Sequence, residues 1–114
     1  MIYHLSTPAE WADAQAAGDY TSSSRDRTLA EEGFIHCSRA DQLAGVLERF
    51  YVGAGPLLLL SVDTELLTSP CQDDEIAPGV FFPHVYGPIN HAAVVAVTPL
   101  NPGPDGVYEV PVLA

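Results

Sequence analysis

The sequence contains no lysine, and its only basic side chains apart from histidine are four arginines, against 15 aspartates and glutamates. The formal net charge is therefore −11. Proteins bind nucleic acid largely by releasing counterions through clustered Lys and Arg, and a negative field repels phosphates. Duplex DNA and RNA are thus excluded as expected partners. One small anion can still be held by a local arginine or by a helix N-terminus.

Cysteine and long apolar runs are also scarce. Cys37 and Cys71 are too few and too far apart for a disulfide scaffold or a Cys-x-x-Cys metal site, and we expect reduced, structural thiols. No apolar run approaches the roughly 20 residues of a membrane span, and the N-terminus lacks the basic-then-apolar pattern of a signal peptide. The sequence therefore predicts a soluble, cytoplasmic protein with no membrane partner.

The 114 residues fit a single domain covering the whole chain, and a hydrophobic content of 47% excludes general disorder. Met1–Leu5 has the composition of a short strand. Thr7–Glu10 has the T-x-x-E form of a capping box with proline at the first helical position, which predicts a helix over Pro8–Ala17. Gly18 is expected to end that helix.

The central stretch of the chain is Gly33–Ser38, followed by a helix pattern over Arg39–Tyr51. In an extended segment, alternation places Phe34, His36 and Ser38 on one face. Apolar residues then recur at i, i+3, i+4 and i+7, and Ser38 is a natural N-cap for that helix. His36 and Ser38 are therefore either a hydrogen-bonded core pair or half of a site, and Ser38 can combine capping with ligand binding.

The polar segment Asp19–Thr28 has two interpretations, a solvated loop or a mobile flap whose Arg25 or Arg27 reaches an anionic ligand. The remaining segments divide into apolar runs and breaker-rich stretches. We expect a helical turn at Leu29–Glu32, a buried strand at Pro56–Val62, an irregular acidic loop at Thr68–Gly79, an irregular segment interrupted by two prolines at Val80–Ile89, and strands at His91–Thr98 and Val107–Val112. Two main helices among five to seven short strands predict an α+β domain.

The four histidines invite a metal interpretation, but their spacing does not match that of common zinc sites, and we expect no metal. Polar side chains cluster on three strand-like segments: His4, then His36 with Ser38, then His84 with Tyr86. A shared cleft explains this clustering. The alternative is a buried network in which these groups bond only to one another.

Several motifs along the chain, among them MIYHLST, GFIHCS, LLLLSVD and FPHVYGPI, resemble the small bacterial DUF952 proteins over most of residues 1–98. The resemblance implies an ADP-ribosyltransferase-like fold, with a split β-sheet and two main helices around a cleft for NAD. It also implies that His4 contacts the dinucleotide and that Ser38, with His36, is the second-strand group. Asp74, with Glu75 beside it, lies where the family often carries a glutamate.

The candidate site residues follow from these motifs together with the polar segments. The catalytic candidates are His36, Asp74 and Glu75, and the cofactor-binding candidates are His4, Ser38, His84, Tyr86, Arg25 and Arg27. Three functions remain open: an NAD-dependent enzyme that transfers ADP-ribose or cleaves NAD, a non-catalytic module that binds a nucleotide-like or other small anionic metabolite, and a protein-interaction domain. The sequence does not fix the oligomeric state.

Overall fold

The computed structural model describes residues 1–25 and 27–113, which form a mixed α/β structure with several small sheets and three α-helices. The strands are β1 (Ile2–Ser6), β2 (Asp19–Tyr20), β3 (Ser22–Ser24), β4 (Arg27–Thr28), β5 (Ile35–His36), β6 (Leu57–Val62), β7 (Cys71–Ala77), β8 (Val80–Val85), β9 (Ile89–Asn90) and β10 (Val94–Leu100). The helices are α1 (Pro8–Ala17), α2 (Leu29–Glu32) and α3 (Leu43–Phe50), with 3₁₀ helices at Ala40–Gln42 and His91–Ala93. No helix in the described part of the chain is long and apolar enough to cross a membrane.

Helix α1 begins and ends as predicted. The Thr7 hydroxyl accepts from the Glu10 N–H at 3.1 Å, and the Glu10 carboxylate accepts from the Thr7 N–H at 2.9 Å. Gly18 ends the helix with a φ of 92°, a left-handed conformation that glycine adopts without strain. At the start of the helix, the two Thr7–Glu10 contacts satisfy the backbone N–H groups of both residues.

The first three-stranded sheet has the order β1-β6-β10 and is antiparallel. Alternation along β6 divides its buried leucines between two core clusters, with Leu60 on the side of α1 and Leu59 on the side of α3. The apolar run of β6 is therefore covered on both faces, as predicted for Pro56–Val62.

The second three-stranded sheet has the order β5-β8-β7, and it joins the first sheet at one pair of residues. Tyr3 of β1 and Ser38, just after β5, exchange both backbone hydrogen bonds, at 2.9 and 2.8 Å. Strand β5 pairs with β8 so that His36 lies opposite His84. The two conspicuous histidine motifs thus become neighbours on adjacent strands.

The acidic segment is strand β7 rather than the irregular loop that we expected at Thr68–Gly79. The expectation for Val80–Ile89 was also wrong, because β8 is a regular central strand that contains Pro83. The N–H and C=O of a strand residue point to the same neighbour, and the carbonyl of Pro83 accepts from Cys37 at 3.0 Å. The missing N–H of Pro83 therefore faces the end of β5 and costs no bond between β7 and β8.

The predicted N-cap at Ser38 is also wrong. The helical segment begins at Ala40 with one 3₁₀ turn, and its N-cap is Arg39, whose N–H donates to the Gln42 side chain at 2.8 Å. The backbone groups of Ser38 are instead used in the pair with Tyr3. The N-terminal turn is therefore one residue too late for Ser38 to cap it.

The Ser-rich segment is more ordered than a solvated loop, because β2, β3 and β4 lie within it and Tyr20 is buried. Asp26, inside the same predicted loop, lies outside the described residues. The strand predicted at His91 begins only at Val94, after a 3₁₀ turn. The strand predicted at residues 107–112 is absent from that described range, where Tyr108 makes one isolated bridge to Pro102.

Both cysteines are free thiols. Burial raises the pKa of Cys37, which packs in the core beneath the first sheet. Cys71 is exposed on β7, so the structural role expected of both thiols applies only to Cys37. No group of three or more His, Cys, Asp or Glu side chains in residues 1–25 and 27–113 is arranged to hold a metal ion.

Candidate functional site

A cleft of about 700 Å³ lies between helix α3 and the hairpin formed by β7 and β8; we call it the α3 cleft. Its apolar lining comes from both walls and consists of Cys37, Val46, Phe50, Tyr51, Ile76 and Phe82. Its polar lining consists of Ser24, Arg25, His36, Ser38 and His84. Burial raises the pKa of Tyr51 to about 12, so this phenol is neutral at physiological pH.

Two polar contacts connect the start of the helical segment to the hairpin, and one of them is an exposed ion pair. Arg39, at the start of the helical segment, forms an ion pair with Asp73 on β7 at 2.9 Å. The side-chain amide of Gln42 donates to the Phe81 carbonyl on β8 at 2.7 Å. The hairpin is thereby attached to the N-terminal end of the helix, while the cleft opens beside its C-terminal half.

Arg25 is the permanent cation of the cleft lining. Its Nη1 atom donates to the carbonyl oxygens of Phe50 at 3.3 Å and Val52 at 3.2 Å, at the C-terminal end of α3. No aspartate or glutamate occurs among the described residues that line the cleft. The described lining of the α3 cleft therefore carries one permanent positive charge and no carboxylate, in a chain whose formal net charge is −11.

His84 is held from behind by Asp74 of β7. Nδ1 of His84 lies 2.7 Å from Oδ2 of Asp74, and the Tyr86 hydroxyl donates to that same oxygen. Gln72 donates to the other carboxylate oxygen. The hydrogen bond from Tyr86, and then those from Gln72 and His84, lower the pKa of Asp74, so the carboxylate is ionised and Nδ1 of His84 carries a proton.

The other ring nitrogen of His84 is buried and has no hydrogen-bond partner among the described residues. The side chain is 5% exposed. Phe34 stacks on the ring with centroids 4.1 Å apart and an angle of 21° between the planes, while the ring of His36 meets it almost perpendicularly at 5.1 Å. A buried polar nitrogen without a partner is costly and marks a place where a ligand atom can bind.

His36 is the more accessible of the two histidines, with 43% of its side chain exposed. Partial burial is the main cause that lowers its pKa, and the neighbouring imidazole of His84 lowers it further, because two protonated rings so close together would repel each other. Oε1 of Glu32 lies 3.7 Å from Nε2 of His36, and this carboxylate raises the pKa of His36. The two histidines thus differ in their surroundings, since the buried His84 ring bonds to the Asp74 carboxylate and the His36 ring is largely open to solvent.

His4 does not line the α3 cleft. It is 2% exposed, its Nδ1 donates to the His36 carbonyl at 2.6 Å, and its Nε2 accepts from the Tyr20 hydroxyl at 2.9 Å. Burial lowers its pKa to about 4, which leaves a neutral ring. Both ring nitrogens therefore form hydrogen bonds inside the protein, and the bond from Nδ1 holds the backbone of β5 at the His36 carbonyl.

The structure brings some of the predicted site residues together and separates others. His36, Ser38, His84 and Arg25 line the cleft, and Asp74 with Tyr86 lies behind His84. Three candidates lie elsewhere. Glu75 accepts from the Gly79 N–H at 3.1 Å in the hairpin turn, Arg27 lies outside the cleft lining, and His4 is in the core.

The prediction from sequence omitted Gln72 and the aromatic wall formed by Phe50, Tyr51 and Phe82. Gln72 and Asp74 are two residues apart, the spacing that puts strand residues on one face. That signal would have identified Gln72 if residues 71–77 had been assigned to a strand. The aromatic wall has no comparable local signal, because it depends on how α3 and β8 are placed on opposite sides of the cleft.

Comparisons with known proteins agree with this structure. The family model described as "Protein of unknown function (DUF952)" matches residues 5–97. A crystal structure of protein CC0527 from Caulobacter crescentus is 30% identical, with a TM-score of 0.82, and the match covers 95% of this chain and 92% of that chain. A solution NMR structure of CC0527 gives 31% identity and a TM-score of 0.76, with coverages of 93% and 89%. A search of curated proteins found no match. The chain belongs to the DUF952 family, which confirms the family predicted from its motifs.

Proposed function

We propose that this protein binds a small, anionic, nucleotide-like metabolite in the α3 cleft, and that NAD and ADP-ribose represent the ligand class. One observation carries the proposal. The cleft combines an aromatic wall with a cationic and hydrogen-bonding wall, and the described residues that line it include no carboxylate. A ligand with a flat ring and a phosphate matches these two walls.

The size and lining of the cleft support this proposal. About 700 Å³ falls within the range of small-molecule sites. Phe50, Tyr51 and Phe82 offer ring faces and edges on which a planar base can pack. Arg25 is attached to the end of α3 through Nη1, which leaves its other guanidinium donors for a phosphate oxygen.

Transfer of ADP-ribose or cleavage of NAD is the second candidate, and it is implied, with an ADP-ribosyltransferase-like fold, by the motif resemblance. Breaking the bond between nicotinamide and ribose generates positive charge on the sugar, which a positioned carboxylate stabilises. Asp74 lies behind His84 and accepts three hydrogen bonds, and Glu75 is bonded to the hairpin turn. The geometry therefore favours binding over transfer.

The test is to incubate the pure protein separately with NAD, ADP-ribose and nicotinamide, and to follow both the melting temperature and the release of nicotinamide from NAD. A ligand that binds the folded state raises the melting temperature by mass action. A rise with NAD or ADP-ribose without release supports the binding function. A rise accompanied by release selects the transferase or NAD-cleaving function, and no rise with any of the three contradicts both.

A further inference from the structure

We infer that an oxyanion of the ligand binds at Nε2 of His84, and that each binding event places one proton on that imidazole. This inference rests on the proposed function and goes beyond it, because it names the atom that meets the ligand and couples binding to pH. The ligand group is an oxyanion such as a phosphate or a carboxylate. The proton comes from solvent, and no covalent bond of the ligand is broken.

The first step of the argument is the unpartnered nitrogen. His84 is 5% exposed and lines the α3 cleft, and its Nε2 has no hydrogen-bond partner in the described part of the chain. Leaving a buried polar atom unpaired destabilises the folded protein. A ligand atom that bonds to Nε2 removes that destabilisation, so the free protein is prepared for a polar group at this position.

The second step is the direction of the hydrogen bond. Nδ1 of His84 already donates to the Asp74 carboxylate, so in a neutral ring Nε2 is a bare acceptor. A bare acceptor repels an oxyanion. Once Nε2 is protonated, the ring donates from both nitrogens, to Asp74 on one side and to the ligand on the other. The cation then lies between two anions, which is a favourable arrangement for charge-assisted hydrogen bonds.

The third step concerns the sign of the surrounding charges. The charged or titratable side chains that face the two histidines belong to several elements: Arg25 after β3, Glu32 of α2, His36 of β5, Asp74 of β7 and Tyr86 after β8. A proton on His84 is attracted by the Asp74 carboxylate and, while the cleft is empty, repelled by the permanent charge of Arg25 in the same cleft lining. A bound oxyanion offsets that repulsion, so ligand and proton bind together.

The stacking of Phe34 on His84 supports the protonated, positively charged form of the imidazole. The two rings are 4.1 Å apart and nearly parallel, so a positive charge on the imidazole lies over the aromatic face. A cation over an aromatic ring is stabilised by the ring quadrupole. Phe34 therefore stabilises the protonated form more than the neutral form.

Isothermal titration calorimetry with ADP-ribose and with inorganic phosphate tests the inference. Titrations at about pH 8, in buffers that differ in ionisation enthalpy, give the number of protons taken up on binding. We expect about one proton, and an affinity that falls about tenfold for each unit of rising pH on the alkaline side. His84→Gln, whose amide donates without a proton, should retain part of the affinity and abolish the uptake, whereas His91→Gln should change neither.

The outcomes separate the inference from the proposed function. Binding of either probe without proton uptake, or uptake that persists in His84→Gln, overturns the inference and leaves the binding function in place. No binding of ADP-ribose or phosphate overturns both. A measurement on the unmodified protein guards against a variant that fails to fold: on saturation with the probe, the ¹⁵N resonance of His84 Nε2 should move from the value of a bare nitrogen to that of a protonated one.

Discussion

Nδ1 of His84 lies 2.7 Å from Oδ2 of Asp74, although the two residues come from different strands of the β5-β8-β7 sheet. The Tyr86 hydroxyl donates to the same carboxylate oxygen. One carboxylate on an edge strand therefore fixes the orientation of the ring and of the phenol beside it. This relationship leaves Nε2 as the ring nitrogen without a partner among the described residues, in a histidine that lines the α3 cleft.

Asp74→Asn should weaken binding of ADP-ribose by about tenfold, because the neutral amide no longer accepts a charge-assisted bond from His84. Asp73→Asn is the matched control: it makes the same change of charge at the next residue, but Asp73 pairs with Arg39 on the exposed surface. Exposed ion pairs contribute little, so the control should bind within about twofold of wild type. Calorimetry measures the affinity of both variants for ADP-ribose. Equal losses of affinity would show that only the net charge of the protein matters, and would contradict the role given to the bond between Asp74 and His84.

Arg25→Gln should weaken binding of ADP-ribose and of phosphate by about tenfold, since it removes the cation of the cleft lining. Arg27→Gln makes the identical substitution two residues away, outside that lining. Its affinity should stay within about twofold of wild type. If the two variants lose affinity equally, the arginines act only through the long-range field, and the assignment of Arg25 to the site is wrong.

His4→Gln should destabilise the fold at neutral pH by about 2 kcal/mol, because it disturbs two buried hydrogen bonds, to the His36 carbonyl and the Tyr20 hydroxyl. The difference should shrink as the pH falls below about 6.5, and it should change sign before pH 4 is reached, so that the variant becomes the more stable protein. The pKa of His4 is about 4 in the folded state and 6.5 in a free chain, so in this window the unfolded state binds a proton that the folded state does not. Wild-type stability then falls by up to about 1.4 kcal/mol per pH unit from this group.

Urea unfolding of wild type and His4→Gln at several pH values measures this difference. Other titrating groups contribute equally to both proteins, so the difference isolates His4. His91→Gln is the control, since His91 is exposed and stacks on Trp11. A difference between wild type and His4→Gln that stays constant from pH 7 to about pH 4 would contradict the buried, neutral state of His4.

Gly87→Ala should destabilise the fold by about 1–3 kcal/mol, because an added Cβ would lie 2.5 Å from the hydroxyl of Ser69 and 2.9 Å from its Cβ. Gly45→Ala, in the middle of α3, should instead stabilise the fold by about 0.5–1 kcal/mol, since a Cβ there meets nothing within 4 Å among the described residues. Urea unfolding compares the two. Stabilisation by Gly87→Ala would contradict the tight turn that follows Tyr86.

Local signals in the sequence predicted the elements whose stability is local. Thr7 and Glu10 specify the start of α1 within four residues, so the capping box could be identified without knowledge of the rest of the fold. Alternation likewise predicted that His84 and Tyr86 face the same way, and both bond to Asp74. The first of these predictions depends only on residues close together in sequence, and the second only on side-chain alternation in extended backbone.

Elements that depend on distant pairing were missed. Strand β7 carries Asp73, Asp74 and Glu75 in a row, and an edge strand of this composition has no apolar alternation that would reveal it. The pairing of β7 with β8 depends on tertiary contacts. The same is true of the position of Pro83 past the end of β5. The same holds for His4, whose two partners are 16 and 32 residues away in sequence. A polar residue on an apolar strand therefore indicated a buried role but not which one.

The most direct test of the central claim is to titrate ADP-ribose into ¹⁵N-labelled protein and to map the amide chemical-shift changes. The account predicts saturable changes concentrated at the walls of the α3 cleft, at Arg25, His36 and Phe82, with Trp11 and His91 unaffected. Saturable changes centred on Trp11 and His91, or no change at any ligand concentration, would contradict it.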